Sequence, residues 1–194
     1  GGTKFRADGI TLITHNGLSG PCILRLSSYA ARYLAEQSYR APLVMNWLGD
    51  TTEAEAIELL YAMSSGNGQK LVCNTHLSQL TSRHWEFLLS RAGIGHDMRW
   101  SGVGRKQMNR LASVLTSDMY QITGRVPHKE EFVTAGGVSL HSVESNTLEC
   151  KTRPGLYFAG EVLDVDGVTG GFNLQAAWTM ADTVARAVAN RFNE

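Results

Sequence analysis

The chain has 194 residues, 43% of them hydrophobic, which is enough for one ordinary domain or two small ones with a real core. Its 18 Lys and Arg residues balance 18 Asp and Glu residues. We therefore expect no nucleic-acid partner, since binding to phosphates normally requires a basic excess. No apolar run reaches the length of a membrane span, so no membrane partner is expected either.

Cysteines and histidines do not suggest a metal site. Cys22, Cys73 and Cys150 lie far apart and form no CxxC pair, and the six histidines share no ligand spacing. A disulfide framework is equally disfavoured, so a reducing, cytoplasmic location is expected. The chain opens on Gly1 rather than Met, as a piece of a longer protein would.

The first third of the chain combines short strands with one helix. The β-branched residues 10–14 predict a strand, and Ser19 is expected to cap a helix that runs to about Gln37. Residues 42–47 predict a second strand.

The middle of the chain is predicted to be helical. Thr51 or Thr52 is expected to cap the next helix. Three helical pieces follow within residues 69–117, of which Thr81 caps the second and Gly104 opens the third. The apolar faces of the last two pieces are Trp85, Leu88, Leu89, Met108, Leu111 and Leu115.

Beyond Met119 the chain changes to short β-like runs and ends in a helix. The runs are residues 120–123, 131–134, 138–140, 147–150 and 156–158. The final helix, about 173–192, is expected to place one apolar face inward: Leu174, Trp178, Ala181, Val184, Val188 and Phe192. The sequence therefore predicts an α+β chain with a mostly helical domain over 1–118 and a second domain over 119–194.

A glycine-rich block links the last β-like run to the final helix. Gly160 and Glu161 end the run, and Gly170 and Gly171 precede the helix. A helix start offers free N–H groups, and glycine lets a ligand approach the backbone closely. This pattern suits a phosphate or the electron-rich edge of a flavin, and Glu161 could accept a hydrogen bond from a ribityl hydroxyl. An ordinary glycine turn is the alternative.

Three motifs resemble one known family. The segments TAGGV (134–138) and GLYFAGEVLDVDGVTGGFNLQ (155–175) are similar to the C-terminal signature of the BaiN-like bacterial NAD(P)/FAD-dependent oxidoreductases, some of them aminoacetone-oxidase-like. THNGLSGP (14–21) resembles a segment of that family's inserted domain. The resemblance implies an α/β parent, in which 1–118 is the later part of the inserted domain and 119–194 the C-terminal segment of a Rossmann-like FAD-binding domain.

The resemblance also implies the cofactor and its partners. FAD would be bound, NAD(P)H would be the reductant, and a small organic molecule the substrate. The implied cofactor-binding residues are Gly136, Gly137, Gly160, Glu161, Gly170, Gly171, Phe172 and Asn173. No catalytic acid or base is indicated. The G-x-G-x-x-G fingerprint of the family is missing, because Gly102 and Gly104 lack the third glycine and a preceding strand. We therefore expect only the C-terminal half of the protein, without a seat for the ADP half of FAD and inactive alone.

Other interpretations stay open beside this one. The chain could be a non-catalytic cap or assembly domain. GLSGP at 17–21 approaches a hydrolase nucleophile motif, but Pro21 replaces the last glycine and a cap role is favoured for Ser19. A basic cluster is read as a solvated helix face, with contact to an anionic substrate or cofactor phosphate as the alternative. The cluster is Arg99, Arg105, Lys106 and Arg110.

Overall fold

The computed structural model describes residues 5–126 and 133–193 of the chain. It contains helices and two small antiparallel sheets, and the predicted α+β class is confirmed. Its helices are α1 (Pro21–Tyr29), α2 (Ala31–Glu36), α3 (Glu53–Asn67), α4 (Ser82–Ala92), α5 (Arg105–Thr116) and α6 (Phe172–Asn193). Its strands are β1 (Leu12–Thr14), β2 (Gly17–Ser19), β3 (Ala41–Met45) and β4 (Asp118–Ile122). Within the described residues, no helix is both long and apolar enough to cross a membrane.

The chain forms two compact units. One unit joins Gly1–Tyr39 with Gly124–Glu194, and the other is Arg40–Thr123. This grouping differs from the expected division at residue 118, because the described residues 5–39 pack with C-terminal residues rather than with the helical middle. The assignment of each segment to a domain of a parent protein stays a prediction.

The unit of residues 40–123 is a helical cluster built largely as the sequence predicts. Thr52 and Glu55 form a reciprocal cap at the start of α3, with distances of 3.3 and 2.8 Å. Thr81 accepts the His84 N–H at the start of α4, and Gly93 ends that helix with a left-handed φ of 73°. These caps confirm the expected helix starts.

The core of this unit lies between α3, α4 and α5. Its fully buried large side chains are Leu60, Val72, Trp85, Leu88, Trp100, Met108, Leu111 and Leu115. The Trp85 indole N–H donates to the carbonyl of Val72 at 2.9 Å, and that of Trp100 donates to the Thr75 hydroxyl at 3.1 Å. Both indoles are therefore buried without an unsatisfied donor. Strands β3 and β4 pair antiparallel beside this core, from Ala41 opposite Ile122 to Met45 opposite Asp118.

Two expectations for the start of the chain are wrong. Ser19 is a strand residue opposite Leu12 in the β1–β2 hairpin, and Gly20 is the residue that precedes α1. The expected single helix to Gln37 is divided into α1 and α2. Because Ser19 ends the hairpin strand, the cap position falls on Gly20, and no side chain caps α1.

Most of the short β-like runs beyond residue 123 are not strands. Residues 138–140, 147–150 and 156–158 contribute isolated bridges, such as those between Val138 and Leu163 and between Glu149 and Tyr157. Half of the run 131–134 lies outside the described residues, and residues 133 and 134 are not in a strand. Frequent turns interrupt each pairing after one residue, although the local residue types favour extended backbone.

Helix α6 has the expected extent, and its inner face agrees with the expected one only in part. Leu174, Trp178 and Phe192 are 64%, 68% and 84% exposed, which contradicts the expected inward face. Val184 and Val188 are half-buried as expected, whereas in the first half of the helix the half-buried side chains are Ala176, Ala177 and Met180. Small residues face inward because the turn at Gly160–Val162 approaches α6 closely: a Cβ on Gly160 would lie 3.6 Å from the Ala177 Cβ.

Candidate functional site

The predicted site residues lie in four neighbouring segments of one compact unit. They are residues 134–138, the 3₁₀ turn Gly160–Val162, the loop 164–171 and the start of α6. The Val138 N–H donates to the Val162 carbonyl at 2.8 Å, and the Asp164 N–H donates to the Val138 carbonyl at 2.9 Å. The structure thus brings the TAGGV segment beside the glycine-rich block, as the sequence motifs require of a shared site.

Gly137 is required by the close crossing of these two segments. Its φ is 138°, and a Cβ there would lie 2.6 Å from the Val162 carbonyl oxygen and 2.8 Å from the Leu163 carbonyl carbon. Gly136 has a similar φ of 125°, but a Cβ there would have nothing within 4 Å. At position 137 the close packing requires glycine. At position 136 only the backbone conformation favours it.

Glu161 joins the two segments through its carboxylate. Its Oε1 accepts the Thr134 N–H at 2.8 Å. Next to it, the Gly160 N–H donates to the Met180 sulfur at 3.3 Å, and Gly160 takes a left-handed φ of 79°. A crevice of about 10 Å³, the size of a single water, lies between this turn and α6. The Glu161 carboxylate thus holds the segment at Thr134 beside the turn Gly160–Val162. The predicted contact of Glu161 with a ribityl hydroxyl stays a prediction.

Asn173 holds the loop that precedes α6. Its Oδ1 accepts the Gly167 N–H at 2.7 Å, and its Nδ2 donates to the Gly167 carbonyl at 3.0 Å. A Cβ on Gly167 would lie 3.0 Å from that same Oδ1. The amide of Asn173 therefore fixes the shape of the loop, a role that its place in a glycine motif did not reveal.

Gly170 and Gly171 leave open space in front of α6. Their φ values are 136° and 93°, and a Cβ at either position would have nothing within 4 Å. The Gly171 carbonyl accepts the Gln175 N–H at 3.0 Å, so the helix begins directly after it. Phe172 is 65% exposed beside this space. Because the first-turn N–H groups of a helix have no partner within the helix, this opening offers them to a polar or anionic group.

A larger cavity is lined in part by Asp166 and Val168 of the same loop, and the sequence did not indicate it. Its volume is about 310 Å³, and the Arg32 guanidinium beside it pairs with Asp164 at 2.5 Å. The residues that line it include Phe5, Tyr29, Arg32, Tyr33, Asp166 and Val168. Arg32 and Asp164 are 132 positions apart. No local pattern could indicate this pairing.

The unit of residues 40–123 contains a separate buried polar cluster around Asp118. This carboxylate is 1% exposed and accepts hydrogen bonds from Arg91, the Trp47 indole and the Tyr120 hydroxyl. Burial and the neighbouring Asp118 hydrogen bond raise the pKa of Tyr120 above its ordinary range. Burial lowers the pKa of His84, whose ring packs edge-on against Trp47. This cluster ties β4 to α4 and explains why a charged residue begins a strand.

Within the part of the chain that the structure describes, no group of three His, Cys, Asp or Glu residues is placed to hold a metal ion. His15 is exposed in the turn of the β1–β2 hairpin.

Comparison with known proteins identifies the class to which this site belongs. A glycine-lined helix start with open space in front of it is what Rossmann-type proteins present to a nucleotide cofactor. Residues 31–187 match the family model described as the HI0933-like protein Rossmann domain. Because the match covers most of the chain, the chain belongs to this family of FAD-binding flavoproteins.

Individual relatives agree with the family. The chain is 33% identical over 182 residues to the ribosomal RNA dihydrouridine synthase of Escherichia coli, and 28% identical over 180 residues to that of Haemophilus influenzae. Each alignment covers 93% of the chain and 42% of the relative. A segment of 59 residues is 49% identical to the 3-dehydro-bile acid delta(4,6)-reductase of Clostridium scindens, covering 30% of the chain and 14% of that protein. The chain thus spans less than half the length of these relatives.

Proposed function

We propose that this chain is part of a flavin-dependent reductase that saturates a carbon–carbon double bond conjugated with a carbonyl group. The proposal rests on the reactions that the relatives are named for. Dihydrouridine is uridine with one ring double bond saturated, and a delta(4,6)-reductase of a 3-dehydro bile acid acts on ring double bonds conjugated with the 3-oxo group. Family membership supports FAD as the cofactor.

The bound flavin would supply a hydride to one carbon of the double bond, and a proton would reach the other carbon. NAD(P)H is the proposed source of the two electrons, so one nicotinamide is oxidised for each double bond saturated. No residue of this chain is assigned as the proton donor. The finer relationship to BaiN-like enzymes remains part of this proposal.

The chain's own residues would bind and orient the cofactor. Gly170 and Gly171 leave room for the flavin edge, and the first-turn N–H groups of α6 would stabilise negative charge there. Asn173 and Glu161 hold the surrounding loop and turn in place. The cavity of about 310 Å³ beside the loop is at the lower end of the size range of small-ligand pockets.

Ribosomal RNA is the favoured substrate, since the two relatives that align with 93% of the chain are ribosomal RNA dihydrouridine synthases. This choice departs from the expectation of no nucleic-acid partner, which considered only total charge. A small organic molecule is the alternative substrate. We place a second part of the FAD site outside this sequence, because the relatives are more than twice as long and the G-x-G-x-x-G motif is missing here.

Matched glycine substitutions test the flavin site in the full-length protein that carries this chain. The test variant is Gly170→Ala/Gly171→Ala. The control is Gly17→Ala/Gly49→Ala, whose positions also combine positive φ with open space. Both doubles strain the backbone to a similar degree. Flavin absorbance and NAD(P)H oxidation should be lost in the first variant and retained in the control.

Two results would count against the proposal. A full-length protein that never binds flavin would favour a non-catalytic cap or assembly domain. Equal flavin loss in both doubles would show that the glycines act only through stability. A separate result, stoichiometric yellow flavin bound to the 194-residue chain alone, would disprove the expectation that FAD binding needs a second part of the protein.

A further inference from the structure

Net charge zero conceals an uneven distribution of charge along the sequence of the unit of residues 40–123. The segment 98–117 contains four basic residues and no acidic one, whereas residues 50–58 contain four acidic residues and no basic one. The basic residues of the first segment are Arg99, Arg105, Lys106 and Arg110. A balanced total therefore does not exclude a strongly basic surface on one side of this unit.

These cations are exposed and form no salt bridge within the described residues. All four, together with Lys70, are exposed at the surface. Among residues 5–126 and 133–193, none of the five takes part in a salt bridge. Asp97, two positions before Arg99, is the nearest acidic residue in the sequence. The surface thus keeps its positive charge available for a partner.

Backbone contacts bring part of this set together. Leu71 and Arg99 form an antiparallel bridge, and the Trp100 N–H donates to the Lys70 carbonyl at 3.1 Å. The Arg99 guanidinium is held by the Gln69 carbonyl at 2.6 Å. Lys70 and Arg99 therefore lie on adjacent stretches of chain.

The remaining cations are exposed residues of α5: Arg105 is its first residue, and Lys106 and Arg110 lie on the side away from the core. Lys106 and Arg110 are four residues apart, so their side chains are neighbours on the helix. Met108, Leu111 and Leu115 of the same helix are buried. Like charges at this spacing destabilise a helix, so this pair does not contribute to the stability of α5.

We propose that Lys70, Arg99, Arg105, Lys106 and Arg110 form a surface that binds the phosphate backbone of RNA. This inference rests on the proposed ribosomal RNA substrate and assigns the unit of residues 40–123 a role in holding it. Contacts to phosphates supply affinity without reading sequence, so the surface binds RNA backbone of any sequence.

The test uses the 194-residue chain and a fluorescein-labelled ribosomal RNA hairpin, with anisotropy titrations at several KCl concentrations. The variant Lys106→Glu/Arg110→Glu is compared with Lys151→Glu/Arg153→Glu. Each double replaces one exposed Lys and one exposed Arg, so the change in net charge is the same. A neutral variant, Lys106→Gln/Arg110→Gln, guards against an effect of glutamate on folding, which circular dichroism checks.

Wild-type chain and the Lys151/Arg153 control should bind with similar affinity. The glutamate variant at 106 and 110 should bind roughly tenfold or more weakly, and its log–log salt slope should be smaller by about 1–2. The glutamine variant should fall between them. Equal losses in the two glutamate doubles would overturn the proposed surface, as would a wild-type chain that binds no hairpin at low salt. Neither result affects the flavin test in the full-length protein, so the two proposals fail separately.

Discussion

Substitution of Gly137 by alanine tests the close crossing that builds the candidate site. A Cβ at this position would lie 2.6 to 2.9 Å from three backbone atoms of Val162 and Leu163, and backbone cannot move aside as a flexible side chain does. Gly136→Ala is the matched control, because its φ is nearly the same and its Cβ would meet nothing within 4 Å.

The structure gives a magnitude for each variant. Both substitutions pay for a non-glycine residue at positive φ, about 1–2 kcal/mol. Gly137→Ala adds a steric cost of about 1–3 kcal/mol and strains the two hydrogen bonds of Val138, worth roughly 1 kcal/mol each. We therefore expect Gly137→Ala to destabilise the crossing by about 3–5 kcal/mol, against about 1–2 kcal/mol for Gly136→Ala.

Hydrogen exchange measures this difference locally. The amides of Val138 and Asp164 donate across the crossing, so their protection reports its opening. Protection should fall much further in Gly137→Ala than in Gly136→Ala, while amides in the core of residues 40–123 should be unaffected. Equal protection in the two variants would refute the steric argument and leave only backbone conformation to explain the glycine pair.

Two further predictions concern the buried polar cluster. Asp118→Ala should lower the free energy of unfolding by about 3 kcal/mol, because it leaves Arg91, Trp47 and Tyr120 without their shared acceptor. Arg91 is partly exposed, so the loss should not reach the upper limit for a buried pair. Urea titrations followed by tryptophan fluorescence measure it. Asp118→Asn should cost less, and a loss below about 1 kcal/mol for Asp118→Ala would contradict the assignment. Burial lowers the pKa of His84 below its ordinary 6.5, so the unfolded chain takes up this proton first on acidification. Stability should therefore be complete above about pH 6.5 and fall as the pH drops below it, with a smaller fall in His84→Gln; an identical pH dependence in both proteins would argue against a neutral buried His84.

Much of the helical unit could be predicted from sequence because its signals are local. Thr52 and Thr81 cap helices through hydrogen bonds to residues three positions later, and Gly93 ends α4 through its own backbone conformation. The spacing of Trp85 and Leu88 likewise depends only on the geometry of one helix. All of these features depend on residues within one or two turns.

The candidate site was predicted in part. The family resemblance implied that Gly137 and Gly160 contribute to one cofactor site, and hydrogen bonds of Val138 place their two segments side by side. Their binding of FAD stays a prediction. The hold of Asn173 on Gly167 and the pairing of Arg32 with Asp164 were missed, since a side chain's partner depends on which surfaces meet after folding. Ser19 was assigned to a cap because its local pattern fits one, but pairing with Leu12 prevailed.

Helix α6 shows most clearly what the sequence alone does not determine, namely which of its side chains face inward. Its sequence determined that residues from about 173 onward form a helix with an apolar stripe, and the helix is present. Only the tertiary structure decided that Ala177, rather than Trp178, faces the neighbouring turn. Periodicity records which residues share a face, but the distance to the neighbouring backbone decides which side chains fit between them. Here they are Ala177 and the flexible side chain of Met180.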